Sequence, residues 1–176
     1  MTLPVVVILA LALAPRNTGS GTVAIQRPPS EPACAALMSS LPDALVGLAR
    51  REVRPSDDQV RAWGDPALVL RCGVSRPAAL VPASDATVFY IKDKAVGDGV
   101  LWLPDANHEA GAGPTAFTAV DRDVYVEVLI PSGQNVVPLP QISDLISAAF
   151  PDPVCLGQTT GVGPVIPDDQ LCSHRQ

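Results

Sequence analysis

Aromatic side chains are scarce here, at 4% of 176 residues. A core in this chain must therefore be built from Val, Leu, Ile and Ala, and an apolar content of 47% supplies enough of them. Lysine is almost missing, with only Lys92 and Lys94. Long uninterrupted stretches are also missing: 19 prolines cut the chain into short pieces, which excludes long helices. The length suits one domain better than two.

Positive charge is not gathered into a stripe. Between Glu31 and Leu80, arginines 50, 51, 54, 61, 71 and 76 are matched by acids 31, 43, 52, 57, 58 and 65. From Asp85 to Asp169 acids outnumber Lys92, Lys94 and Arg122 four to one. Phosphate contacts need clustered Lys or Arg, so nucleic acid is excluded as a partner. Arg50, Arg51 and Arg54 read as a solvated basic patch.

Catalytic arrangements are missing as well. Only two histidines exist, His108 and His174. His108 sits in a Gly/Ala loop beside Glu109, with no nucleophile placed for it. No Gly-x-Ser-x-Gly elbow occurs, and Ser132-Gly133 is a turn. Gly97, Gly99, Gly111 and Gly113 follow no strand–helix pattern that would cradle phosphate. Asp93 with Asp98, and Asp121 with Asp123, lack the spacing of a calcium loop and read as turn residues. His174 with Cys172 and Cys155 would need a fourth ligand and reduced thiols to bind zinc. The expectation is no cofactor and no metal.

An apolar run from Leu3 to Ala14 is too short for a membrane helix, which needs about 20 residues. It has the length of a signal-peptide core, and Ala12-Leu13-Ala14 supplies a small-x-small cleavage pattern. Residues 1–14 are therefore read as a signal peptide or short anchor, the only part expected to meet a membrane. Residues 15–29 read as a linker, 30–151 as the domain and 152–176 as an irregular tail.

Export agrees with four cysteines, Cys34, Cys72, Cys155 and Cys172, which an oxidising compartment would pair. Three pairings are possible. Cys34, Leu37, Met38 and Leu41 fall on one helical face, after Ser30 as cap and Pro32 in the first turn, and before Pro42. Leu68, Leu70, Cys72 and Val74 alternate as one face of a strand. Both cysteines then point to a shared core, so Cys34–Cys72 is the preferred pair and Cys155–Cys172 closes within the tail.

Ser56 and Gln59 fit a capping box for a short helical turn closed by Gly64. Strands are expected at 88–92 and 100–103 as a loose hairpin, at 117–120, and at 124–130, with a turn at Asp121-Arg122-Asp123. Val124, Val126, Val128 and Ile130 face one side of the last strand, and Tyr125, Glu127 and Leu129 the other. Ile142, Leu145, Ile146, Ala149 and Phe150 mark a helix stopped by Pro151. The expected fold is α+β: a small antiparallel sheet with two flanking helices, stabilised by a disulfide.

Several segments resemble the actinobacterial family named domain of unknown function 3515. They are Cys34-Ala35-Ala36-Leu37 with Leu41-Pro42, Trp63-Gly64-Asp65-Pro66, and Leu70-Arg71-Cys72-Gly73-Val74 with Pro77. Phe117-Thr118-Ala119-Val120 and Val124-Tyr125-Val126-Glu127-Val128 with Pro131 complete the likeness over about residues 33 to 151. The resemblance implies an exported or membrane-anchored protein and brings no assigned activity.

Trp63, Asp65 and Arg71 are the candidate ligand-binding residues. A tryptophan, a carboxylate and a guanidinium near one loop suit a polar ligand such as a peptide or sugar. The competing reading has Trp63 covering the sheet edge and Asp65 pairing with Arg71. Three functions follow: an exported cell-envelope interaction module with an unidentified partner; a hydrolase of envelope material using two of Asp65, Asp121, Asp123 and Glu127; or a structural domain on a tether. The first is preferred.

Overall fold

Strands of alternating apolar residues must cover at least one face, and this chain covers both faces of its sheet by different means. The computed structural model describes residues 22–25, 27–29, 31–80, 86–92, 99–105, 113–134 and 138–151. The elements run β1 (Val23–Ala24), α1 (Cys34–Ser40), β2 (Ala44–Leu45), β3 (Leu48–Arg51), β4 (Val53–Arg54), β5 (Val60–Trp63), β6 (Leu68–Cys72), β7 (Phe89–Lys92), β8 (Gly99–Pro104), β9 (Thr115–Ala119), β10 (Val126–Ile130) and α2 (Pro138–Ala149). Eight strands form one sheet in the order β2-β3-β5-β6-β10-β9-β8-β7, with every neighbouring pair antiparallel. β1 and β4 make a separate parallel pair.

The antiparallel α+β reading holds, but the sheet is not small. Both helices lie over the same face, here called the helix face. Leu37, Met38 and Leu41 of the α1 region and Leu139, Ile142 and Ile146 of α2 pack with Leu68, Leu70, Cys72, Trp102, Val126 and Val128. The two tryptophans are the largest fully buried side chains, and each indole N–H finds a partner, as buried indoles require. Trp63 Nε1 donates to the Pro42 carbonyl at 3.0 Å, and Trp102 Nε1 donates to Ser143 Oγ at 2.9 Å. Few aromatics therefore serve as ties between sheet and helices as well as core volume.

α1 leads into a disulfide: Cys34 and Cys72 are bonded, with Cα atoms 5.8 Å apart. The helix and strand periodicities thus meet in the core as the sequence suggests. The helix cap differs from expectation. Ala33 holds the cap position without a side-chain bond, and Glu31 Oε1 accepts from Ala33 N at 3.2 Å. Ser30 lies outside the described residues. At the other end, Arg50 Nη2 donates to the carbonyls of Leu41 at 2.6 Å and Pro42 at 3.1 Å. A cation there satisfies carbonyls that have no intrahelical partner.

The helical turn expected after Ser56 is instead strand β5. Val60 and Ala62 face one side with Val69, while Trp63 faces the helices, which is period two. Asp57 takes the turn-forming role, its Oδ1 accepting from Gln59 N at 2.8 Å. Gly64, at φ +75°, therefore follows the end of a strand and does not close a helical turn. Part of the sequence read as linker is also ordered, since β1 pairs with β4.

The face opposite the helices carries two smaller apolar clusters. Val23, Ile25, Val53, Val60, Ala62, Ala67, Val69 and Leu129 form one, under β1 and β4. Leu80, Ala86, Val88, Leu101, Leu103, Val120 and Tyr125 form the other. We call this the strap face.

Candidate functional site

The strap face carries the most defined polar chemistry between its two clusters. Strand register sets a row across the sheet: Val60, Arg71, Glu127, Thr118 and Leu103 are successive cross-strand partners. Arg71 Nε donates to Glu127 Oε2 at 2.6 Å, and Nη2 reaches the same oxygen. Both side chains are 16% exposed. A charge pair directly opposite on neighbouring strands supports the register.

Trp63, Asp65 and Arg71 are not gathered into one patch. Trp63 is fully buried on the helix face, facing Leu68 across the strands. Arg71 lies on the strap face with Glu127. Asp65 is an exposed turn residue that meets Arg51 at 3.5 Å. Arg71 therefore pairs with Glu127 and not with Asp65, and Trp63 has no indole surface open to a ligand.

The second polar centre is buried at the β9–β10 turn. Arg122 donates through Nε to the Phe150 carbonyl at 2.8 Å and through Nη2 to the Gly99 carbonyl at 2.8 Å. Nη2 also reaches Ser147 Oγ at 3.4 Å, and Nη1 donates to the Asp121 carbonyl at 3.0 Å. Asp121 Oδ2 stands 2.8 Å from Nη1 as counter-ion. This guanidinium ties the end of α2 to the start of β8 and to the turn. Burial pushes the Asp121 carboxyl up to about 6, and the charge of Arg122 only partly offsets it. Asp121 Oδ1 has no hydrogen-bond partner among the described residues.

The four carboxylates considered for hydrolysis thus sit in separate settings. Asp65 is exposed beside Arg51, Asp121 is buried on Arg122, Asp123 is exposed, and Glu127 is bound to Arg71. No group of three or more His, Cys, Asp or Glu able to hold a metal occurs among the described residues. His108, His174, Asp93, Asp98, Cys155, Cys172 and the apolar run at 3–14 lie outside the described residues. No helix among the described residues is long and apolar enough to cross a membrane.

Two residues carry more than sequence reasoning assigns to them. Arg122 reads in the sequence as a turn residue only, although it is the one arginine between Arg76 and Arg175 in an acidic stretch. Gln59 reads as half of a capping box. Its amide instead donates to the Pro29 carbonyl at 2.8 Å and the Cys72 carbonyl at 2.9 Å, and its Oε1 accepts from Glu31 N at 2.8 Å.

The family model described as "Protein of unknown function (DUF3515)" matches residues 1–154. The chain belongs to this family. The match takes in the amino-terminal apolar run and stops just before Cys155, so the tail cysteines fall outside the matched region. Comparison with curated proteins and with solved structures returns no match.

Proposed function

We propose that this member of the family is an exported cell-envelope protein that acts as an interaction module. The observation that carries the reading is the buried Cys34–Cys72 bond joining α1 to β6. Structural disulfides persist in oxidising compartments and are rare in the cytosol. The apolar run from Leu3 to Ala14 has the length and small-residue ending of an export signal.

The preference for binding over catalysis rests on how the polar groups are used. Arg122 ties α2 to the sheet, Arg71 and Glu127 pair across strands, and Trp63 holds the end of α1. These are architectural tasks. A catalytic pair of carboxylates needs two acids facing one cleft, and Asp65, Asp121 and Glu127 each answer a different arginine.

Intact mass of the protein recovered from its native cells, with and without reduction and thiol alkylation, tests the reading. Absence of alkylation at Cys34 and Cys72 before reduction is the expected result, together with recovery from the extracytoplasmic fraction. Alkylation of both cysteines in unreduced material would place the protein in a reducing compartment and end the export reading. Crosslinking at the cell surface tests the partner. A reproducible crosslinked protein supports the module, and repeated failure with a folded, correctly located bait counts against it.

A further inference from the structure

The arginines that read as one basic patch part company in the fold. Arg51 shares the strap face with Ala62, its cross-strand partner, and meets Asp65. Arg54 pairs with Glu52 at 2.7 Å. Arg50 takes the helix face opposite Trp63. Arg61 stands two residues before Trp63 on β5 and shares that face. Arg50 and Arg61 therefore rise from diagonal positions on neighbouring strands, about 7–8 Å apart and within reach of long side chains.

Both guanidinium groups are held by main-chain carbonyls. Arg61 Nη1 donates to the carbonyls of Val60 at 2.8 Å, Asp57 at 3.3 Å and Asp58 at 3.3 Å. Arg50 Nη2 is occupied at the end of α1, and its Nη1 meets Asp43 at 3.3 Å, a carboxylate 93% exposed. Arg61 Nε and Nη2 and Arg50 Nε are left without a partner among the described residues. Nε and Nη2 are the edge of a guanidinium that offers two parallel N–H groups to an oxyanion.

Nearby acids do not fill that edge. Asp57 is taken by Arg27 and by the Gln59 N–H, and Glu52 answers Arg54. Asp58 reaches Arg61 only through its carbonyl. Burial and then the charge of Arg50 pull Arg61 below the ordinary arginine value, and Asp58 and Asp57 only partly offset them. A half-buried cation with a second cation beside it and an unused edge lacks an anion.

We propose that Arg61 and Arg50 bind a phosphate group, with two of its oxygens on the Arg61 edge and a third on Arg50 Nε. Three donors from two guanidinium planes suit a tetrahedral oxyanion, whereas a planar carboxylate would leave one of them idle. The carbonyl anchors hold both side chains before the anion arrives, which lowers the ordering cost of binding. The seat belongs to the described domain and does not rest on the envelope reading. A soluble phosphate and a lipid phosphomonoester offer the same oxygens, and the test separates them.

Inorganic phosphate titrated into the isotope-labelled full chain, disulfide intact, at pH 7 and constant ionic strength, is the first arm. The Nε–H signals of Arg61 and Arg50 should shift together and saturate, with half-saturation at about 1 mM. Shifts that never saturate, or that chloride reproduces, would overturn the proposal. Arg61→Lys keeps the charge and removes the edge, so it should weaken binding at least about tenfold. Equal affinity in that variant would mean diffuse attraction and no seat. Asp58→Asn removes an exposed opposing charge and should tighten binding about threefold, a gain that no folding defect imitates. Unchanged or weaker binding there counts against the seat. Vesicles of phosphatidylcholine with and without phosphatidic acid form the last arm. Stronger co-sedimentation with the phosphatidic acid vesicles, lost in Arg61→Lys, assigns the seat to a lipid head group. Phosphate binding without that difference assigns it to a soluble phosphate.

Discussion

Arg122 and Asp121 are chain neighbours whose side chains turn inward together, 2.8 Å apart, at 0% and 5% exposure. A buried pair of this kind is not a simple gain, because desolvating both charges offsets their attraction. The raised position of the Asp121 carboxyl, about 6 against an ordinary 3.8, shows that burial outweighs the pairing.

A pH dependence follows from that balance. An acid whose folded value lies above its unfolded one binds its proton more readily in the folded state. Its contribution to stability therefore rises as pH falls through the window from about 6 to about 3.8. The gain over the whole window is about 3 kcal/mol for a shift of this size. Urea unfolding of wild type and Asp121→Asn between pH 7.5 and 4.5 isolates it, since the other acids are common to both chains. The expected result is that wild type gains on the variant as pH falls. A difference independent of pH would remove Asp121 as its source.

Removing Arg122 should cost more than removing its counter-ion. Arg122→Met strands the carbonyls of Phe150 and Gly99 and leaves Asp121 without its cation. A loss of about 3 kcal/mol is expected near neutral pH, shrinking below pH 6 where Asp121 is protonated. Arg122→Lys should recover only part of it, because one ammonium cannot reproduce the fork that reaches three carbonyls. Chemical denaturation of the three chains at pH 7 and pH 5 checks both statements. Full recovery in the lysine variant would mean that charge alone matters.

The division between what is legible in the sequence and what is not has physical causes. β10 and α2 are legible because each has enough residues for its period to show: Val126, Val128 and Ile130 in one, Ile142, Leu145, Ile146 and Ala149 in the other. The Cys34–Cys72 bond is legible because a helical and a strand period both aim a cysteine inward. β2 and β4 are two residues each, too short for any period. β5 is hidden by Ser56 and Gln59, which imitate a helix cap while Asp57 forms the turn. The candidate site inherits that disguise. Once β5 is a strand paired with β6, Trp63 stands opposite Leu68 and shares its face, whereas Arg71 takes the other. The burial of Arg122 has no local signature, since it depends on α2 arriving from far along the chain.

The β2–β3 turn stores strain that a substitution can release. Val46 has φ 45° and Gly47 φ 81°, the paired positive values of a two-residue hairpin turn. Glycine tolerates this, whereas a β-branched residue does not. Val46 is also exposed, so its side chain offsets little of the cost by burial. Val46→Asn should raise stability by about 1 kcal/mol, seen as a higher melting temperature with unchanged circular dichroism. A lower melting temperature would show that the valine makes a contribution greater than its strain.

The disulfide gives the last test. It closes a separation of 38 residues, and losing it should cost about 3–4 kcal/mol, mostly by freeing the unfolded chain. Cys34→Ala with Cys72→Ala measures that cost by urea unfolding. Gln59→Leu, with the disulfide kept, measures a different quantity. Its amide joins Pro29, Glu31 and Cys72 around the bonded sulfurs, so its removal strands two carbonyls and one N–H, a loss of about 2 kcal/mol. The two effects should not add, because Gln59 and the disulfide restrain the same junction between residues 29–34 and the end of β6. A combined loss equal to the sum would mean that Gln59 works independently of the bond and does not organise it.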